Sequence, residues 1–208
     1  MQRRPFITSL AALGSTALLP RLASAAAVIG QPAPDFRLTD TTGQVVSLSQ
    51  FKGKTVVLEW NNPGCPFVRK HYNGNMQSLQ KDFTQKGVVW LAVNSTETQS
   101  GDYLEPEQLA RWMRDKGASP TATLMDVDGK AGTAFGARVT PHMYIVNAQG
   151  LLVYAGGIDS IPSARESDIQ KATNYVRQGL TELLAGQPVS VATSRAYGCS
   201  IKYRSGAA

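Results

Sequence analysis

The chain has 208 residues, of which 21 are lysine or arginine and 15 are aspartate or glutamate, so its formal net charge is +6. Without the first 25 residues, which are predicted below to be cleaved, 183 residues remain, a length that suits a single domain with a well-formed core. The positive charge forms no basic run with interleaved aromatic residues, so we do not expect nucleic acid as a partner.

Residues 1–25 are predicted to be an export signal. Arg3 and Arg4 precede an apolar stretch that ends at Leu19, and Ala23-Ser24-Ala25 fits the small-residue rule for cleavage. The stretch is too polar and too short for a membrane-spanning helix, which needs about 20 apolar residues, so stable membrane insertion is not expected. The paired arginines resemble a twin-arginine signal, and an ordinary secretory signal that carries two arginines is the alternative. Either one predicts a periplasmic protein in a compartment that permits disulfides, with a mature net charge of +3 (18 basic minus 15 acidic residues).

The elements of the mature chain alternate between strand and helix patterns. An extended lead-in at 28–50 turns at 40–43, and apolar runs predict strands at 55–60, 88–93 and 121–125. Helical spacing predicts helices at 66–86 (with a weak point at Gly74), 106–116, 131–135 and 163–184, and a hairpin joins 143–146 to 151–154. This order predicts an α/β fold whose central strands are parallel and whose last two are antiparallel. We divide the mature chain into a domain at 26–160 and a C-terminal helix with a tail at 161–208.

Two cysteines carry the chemistry that the sequence offers. Cys65 falls between the strand at 55–60 and the helix at 66–86, where unpaired N–H groups and the helix dipole favour a thiolate. Arg69 and Lys70 add positive charge nearby, and such surroundings make a cysteine reactive. The alternative is a buried, inert thiol, because free cysteine is among the most buried residue types.

The ordered motifs resemble the thioredoxin superfamily, and more closely its redoxin branch, the alkyl hydroperoxide reductase and thiol-specific antioxidant family with its non-classical peroxiredoxin-like members. The motifs are Gly30-x-Pro32-x-Pro34-Asp35-Phe36, then Leu48-x-x-Phe51-Lys52-Gly53-Lys54, then Phe135-Gly136-Ala137-Arg138-Val139-Thr140-Pro141, and in the tail Tyr197-Gly198-Cys199-Ser200-Ile201-Lys202. The resemblance covers about 28–158. It implies a thioredoxin-like fold, a central mixed sheet flanked by helices, with an N-terminal redoxin extension and a C-terminal helix plus tail.

The resemblance also implies roles for residues around Cys65. Thr140-Pro141 matches the position of a cis proline that lies against the active-site cysteine, where the backbone of the preceding residue pairs with an extended substrate. The alternative for Pro141 is a trans turn before a strand. Glu59, six residues before Cys65, matches a buried acid that moves protons at the cysteine pair, and the alternative is a strand carboxylate that faces solvent or pairs with a lysine.

Three departures from the family pattern limit the chemistry. Val68 stands where C-x-x-C has its second cysteine, so dithiol exchange within this turn is impossible. Asn62 and Leu58 replace the Thr and Pro of the peroxiredoxin motif P-x-x-x-T-x-x-C, so the peroxide-activating hydrogen bonds are not assured. Arg69 occupies the second cysteine's place in the C-x-x-x-C of copper-binding relatives, so no metal or other cofactor is expected.

The histidines have no assigned role in this scheme. We interpret His71 as a helix-surface residue, and His142 as a residue that lines or only flanks the site.

Cys199, 134 positions after Cys65, is the remaining partner for the thiol. Two cysteines in an exported protein predict an intramolecular Cys65–Cys199 bond. That bond is either a structural staple or a redox couple, and the sequence does not decide between them. Our first hypothesis is a thiol-disulfide oxidoreductase in which Cys65 attacks and Cys199 resolves, reset by a thiol or disulfide protein or a small thiol reductant. The alternatives are a peroxidase acting on a hydroperoxide, and a non-enzymatic binding or scaffold module with a structural disulfide.

Overall fold

A seven-stranded mixed sheet organises residues 26–204, which are the residues that the computed structural model describes. The export signal predicted at 1–25 lies outside them. The sheet has the strand order β2-β1-β5-β4-β3-β7-β8. Its strands are β1 (Arg37–Asp40), β2 (Val45–Ser47), β3 (Val56–Trp60), β4 (Val89–Asn94), β5 (Ala122–Met125), β7 (His142–Val146) and β8 (Leu152–Gly156). The short strands β6 (Val139–Thr140) and β9 (Cys199–Ser200) form a separate pair.

The three central strands β3, β4 and β5 are parallel, and β7 and β8 add antiparallel strands beyond β3. Every residue of β3 and β4 is buried, as expected for parallel strands that are covered on both faces. The sequence prediction of an α/β thioredoxin-like arrangement with a terminal antiparallel hairpin is therefore confirmed.

Helices cover the two faces of the sheet and create two apolar cores. The first core joins Val57 and Trp90 to α1 (Pro66–His71), α2 (Asn75–Thr84), α3 (Pro106–Asp115) and α5 (Tyr175–Leu184). The second core joins Leu58 and Leu91 to Phe135 of α4 (Lys130–Phe135) and to the N-terminal extension. None of the helices within 26–204 combines the length and the hydropathy that crossing a membrane requires.

The helix predicted at 66–86 is two helices. The first helix ends at His71, and Gly74, whose φ of +113 is a conformation that side-chain-bearing residues rarely adopt, is the N-cap of the second. The prediction of one continuous helix is wrong, although the weak point was placed at the right residue.

The helix predicted at 163–184 is also wrong in its first half. Residues Glu166–Lys171 form a 3₁₀ helix, and α5 begins only after Asn174, whose side chain accepts a hydrogen bond from the Arg177 N–H at 2.9 Å. The reason is a contact between residues 13 positions apart: the Ser160 N–H donates to the Thr173 carbonyl at 3.1 Å, which closes 160–173 into a loop that contains the 3₁₀ helix and precedes α5.

The C-terminal tail folds back onto the domain after α5. It first follows the edge of β8, where the Ala155 N–H donates to the Ala192 carbonyl at 3.1 Å. It then crosses to β6, pairing antiparallel in the register Thr140↔Cys199 and Val139↔Ser200. This pairing was not predicted, and it brings Cys199 to the turn that holds Cys65.

Candidate active site

Cys65 is the N-cap of α1, directly after the turn that follows β3. Its backbone N–H donates to the Asn62 carbonyl at 2.9 Å, and Pro66 occupies the first helical turn, where its missing N–H costs nothing. The side chain is only 2% exposed, and its Sγ donates to the Thr140 carbonyl oxygen at 3.0 Å. Because a carbonyl oxygen only accepts hydrogen bonds, this contact is made by the S–H form.

The two cations expected beside the thiol are engaged elsewhere. The Arg69 Nε donates to the Pro63 carbonyl at 2.6 Å. The Lys70 Nζ is buried and lies 3.4 Å from the Asp159 carboxylate. Lys70 is thus held in an ion pair while Arg69 keeps its charge beside the turn before Cys65, and the expectation that both supply positive charge to the thiol stays a prediction.

Cys199 reaches the same point from the tail. It lies opposite Thr140 in the β6–β9 pair, and it packs against the apolar core that contains Cys65. Burial and then the neighbouring Cys65 raise the pKa of the Cys199 thiol above its usual range. Both cysteines are free thiols in this structure. The oxidised Cys65–Cys199 bond remains a prediction, and the structure places its two partners in contact.

Thr140 and Pro141 form the wall behind the two thiols. Their peptide bond is cis, as the resemblance implied. The Thr140 side chain is 3% exposed, and its Oγ1 is a buried hydroxyl without a hydrogen-bond partner. His142 instead contacts Tyr144, with its Nδ1 3.2 Å from the tyrosine hydroxyl, so the described contacts place it beside the site. Burial and then Arg138 lower its pKa to about 4.

Glu59 is buried on β3 and accepts three side-chain hydrogen bonds, so the solvent-facing alternative is wrong. The donors are the Tyr72 hydroxyl at 2.6 Å, the Trp90 indole N–H at 2.8 Å and the Gln80 amide at 3.2 Å. Desolvation outweighs these bonds and raises its pKa to about 7. Its described hydrogen bonds reach neither cysteine.

A buried polar cluster beside the site was missed by the sequence analysis. Asp159 accepts from the Tyr197 hydroxyl, and the Nε2 of His71 lies 3.7 Å from the same carboxylate and 3.3 Å from that hydroxyl. His71 is fully buried, so its placement on the helix surface is wrong. Burial lowers its pKa to about 4, although Asp159 opposes that shift.

The position of Tyr197 links this cluster to the thiols. The tyrosine stands two residues before Cys199, and its ring packs edge-on against Phe67, two residues after Cys65, at 5.8 Å between centroids. The only sequence signals were the nearness of Lys70 and His71 to Cys65 and of Tyr197 to Cys199.

A mixed sheet of this topology, with a strand-to-helix cysteine facing a cis-proline segment, defines a thioredoxin-like thiol protein. The model of the AhpC/TSA family matches residues 29–155, and the chain belongs to that family.

Relatives with assigned names are thiol proteins. The chain is 28% identical over 152 residues to the thiol-disulfide oxidoreductase ResA of Bacillus subtilis, covering 73% of this chain and 78% of ResA. It is 29% identical over 127 residues to a putative peroxiredoxin, Rv2521, of Mycobacterium tuberculosis, covering 59% and 73% of the two chains.

Among solved structures, an uncharacterized conserved protein from Geobacillus kaustophilus has a TM-score of 0.72 at 30% identity, covering 86% of this chain and 94% of that one. These comparisons confirm the redoxin membership and the thioredoxin-like fold. At the level of class, they also confirm the expectation of a thiol-dependent oxidoreductase.

Proposed function

We propose that this protein is an exported thiol-disulfide oxidoreductase in which Cys65 is the nucleophile and Cys199 resolves the intermediate. The observation that carries the proposal is the contact of the two thiols across the Thr140 backbone, which joins residues 134 positions apart. The thiol-disulfide oxidoreductase ResA among the relatives supports the same reaction class. Export rests on the signal predicted at 1–25.

The reaction balances as a two-electron exchange. The Cys65 thiolate attacks one sulfur of a substrate disulfide, whose S–S bond breaks, and the other half leaves as a thiolate with the electron pair. Cys199 then loses its proton and attacks the Cys65 sulfur, which releases the second half and forms the Cys65–Cys199 bond. The substrate is reduced and the protein is oxidised. A thiol protein or a small thiol reductant reverses the oxidation.

We assign the surrounding residues supporting roles in this scheme. Thr140 and Pro141 position the two sulfurs, and Glu59 exchanges protons with the pair through water. The pKa of Glu59, near 7, suits a group that both takes up and gives back a proton.

Hydroperoxide reduction is the weaker candidate. The putative peroxiredoxin among the relatives favours it. Asn62, however, stands where the peroxiredoxin motif has threonine, and its side chain is committed to the turn: its Oδ1 accepts from the Gly64 N–H at 2.7 Å and its Nδ2 donates to Thr96 at 3.2 Å. Slow peroxide reduction is therefore expected.

Reaction of the reduced protein with a scrambled disulfide protein tests the assignment. Cys65→Ser should abolish exchange, whereas Cys199→Ser should accumulate a mixed disulfide on Cys65, because nothing resolves it. Stopped-flow with hydrogen peroxide and with an organic hydroperoxide runs beside it. Rapid peroxide turnover that requires Cys65 would favour the peroxidase. Inactivity in both assays, with a Cys65–Cys199 bond that stabilises the fold, would favour the scaffold.

A further inference from the structure

Strand β6 lies directly beside the nucleophile, and its pairing edge is occupied by the chain's own tail. The Thr140 carbonyl that accepts from Cys65 belongs to this two-residue strand, and β9 pairs with it antiparallel. An unpaired strand edge is the usual place where an extended peptide adds itself to a fold. In this protein β9 uses the backbone groups that such a peptide would need.

Backbone hydrogen bonds from two other segments hold the tail beside β6. The Ile201 N–H donates to the Arg138 carbonyl at 3.0 Å, and the Glu97 N–H donates to the Lys202 carbonyl at 2.9 Å. Residues 199–202 therefore lie in a slot between the loop after β4 and the segment around β6. Cys65 is 2% exposed beneath this slot, while Cys199 is half-buried, so the slot opens to solvent at Cys199.

Gly198 makes the close approach of the tail possible. Its φ is +143, and a Cβ atom built on it would overlap the Thr140 carbonyl, which is backbone and cannot swing away. Only glycine lets the tail reach the Thr140 backbone in this conformation. A single methyl group at this position is thus a tool for displacing β9 without touching either sulfur.

We infer that β9 is an intramolecular occupant of the peptide-pairing edge, so that the docked tail admits only small thiols and disulfides, and an extended peptide disulfide reaches Cys65 only after the tail leaves. The inference rests on the proposed function, and it names the class of substrate that the protein accepts while its tail is docked. A small reactant needs no strand pairing and can enter at Cys199. An extended peptide competes with residues 199–202 for the same backbone groups.

The first test compares two disulfide probes on the full-length chain. Each variant carries Cys199→Ser, so that only the first step, attack by Cys65, is counted by quenching and mass spectrometry. The probes are hydroxyethyl disulfide and the homodimeric disulfide of an extended, valine-rich peptide with one cysteine. Adding Gly198→Ala should raise the fraction of molecules whose tail is undocked. Because the apparent rate of the peptide reaction is proportional to that fraction, the reaction should become faster by about tenfold or more. The small probe should change by less than about threefold.

Two further variants serve as the control and as a second way of undocking the tail. Ser200→Ala is the matched control, since its side chain is exposed on the same strand and the backbone pairing is kept. Ile201→Ala is the second undocking variant, in case Gly198→Ala fails to fold, because Ile201 packs on the edge of the second core. An equal acceleration of both probes would overturn the inference, as would a parent that already exchanges as fast with the peptide as with the small disulfide.

An equilibrium measurement separates this inference from the proposed chemistry. A cysteine-free version of the peptide should trap the open state and speed hydrogen exchange at the Ile201 and Glu97 amides. If no variant exchanges disulfides and the peptide still releases these amides, the proposed function fails and the inference stands. If the peptide never releases them, the inference fails even when disulfide exchange is present.

Discussion

The carboxyl group of Glu59 carries a pH dependence that can be measured apart from the thiols. Burial raises its pKa from 4.5 to about 7 in the folded protein. Between these values the folded state keeps a proton that the unfolded state has lost, so stability falls as pH rises through that window, by about 3 kcal/mol in all. His71 and His142 have the opposite effect below pH 6.5. Their pKa values are lowered from 6.5 to about 4 in the folded protein, so the unfolded state binds protons there that the folded state does not, and the folded state becomes less stable as the pH falls.

We therefore expect Glu59→Gln to flatten the decline of stability with pH. The free energy of unfolding in urea, followed from about pH 5 to about pH 8, should fall less in the variant than in the parent. Subtracting the two curves removes the histidine contributions that they share. The exposed Glu107→Gln on α3 is the control and should keep the parental slope. Parallel curves for Glu59→Gln and the parent would mean that Glu59 is ionised in the folded state throughout this range.

At the scale of elements, the tail is attached through Tyr197 as well as through β9. Its hydroxyl donates to Asp159, which also faces Lys70 and His71. Tyr197→Phe should cost about 1–3 kcal/mol, since it removes a buried hydrogen bond to a charged group. It should also slow closure of the Cys65–Cys199 bond, because Cys199 follows two residues later. Urea unfolding and the rate of thiol loss under mild oxidation measure the two effects.

Tyr103→Phe provides the comparison for Tyr197→Phe. The Tyr103 hydroxyl is 3.4 Å from Glu105 in an exposed contact, so its loss should change stability by no more than about 0.5 kcal/mol. If Tyr197→Phe destabilised the fold without slowing closure, the tyrosine would be a structural anchor and would not position Cys199.

The elements that were predictable are those with a local signal. The apolar runs of β3 and β4 and the hairpin of β7 and β8 follow from patterns within a few residues. The break at Gly74 and the loop before α5 depend on a backbone conformation and on a bond between distant residues, which periodicity does not report. Strands β6 and β9 have two residues each and exist only through mutual pairing.

The site divides in the same way. Motifs proposed Cys65, Cys199 and Pro141 as candidate site residues, whereas the burial of Cys65, the ion pair of Lys70 with Asp159 and the burial of His71 arise from tertiary contacts. Such contacts leave no trace in the local sequence. The sequence therefore indicated which residues could take part in the chemistry, but it did not indicate their burial or their contacts.

For the whole molecule, oxidation of the two cysteines should couple the redox state to stability. A Cys65–Cys199 bond would close a loop spanning most of the domain, and restricting the unfolded chain in this way contributes up to about 5 kcal/mol. Reduction would then shift the urea midpoint downwards in the parent. It should leave the midpoint of Cys199→Ser unchanged, because that variant cannot form the bond.

The same free energy fixes how strongly the folded protein holds its disulfide. Because about 1.4 kcal/mol corresponds to about 30 mV for a two-electron couple, full stabilisation of the oxidised fold would lower the potential of the pair by about 100 mV relative to the unfolded chain. A working couple must still be reducible by its partner, so we expect a potential above about −300 mV, measured by equilibration with dithiothreitol buffers. Such a potential would require the reduced fold to offset part of the loop term through the docking of its tail, in which Cys199 pairs opposite Thr140 while both thiols are free. A potential below that value, together with a large drop in urea midpoint on reduction, would identify the bond as a structural staple.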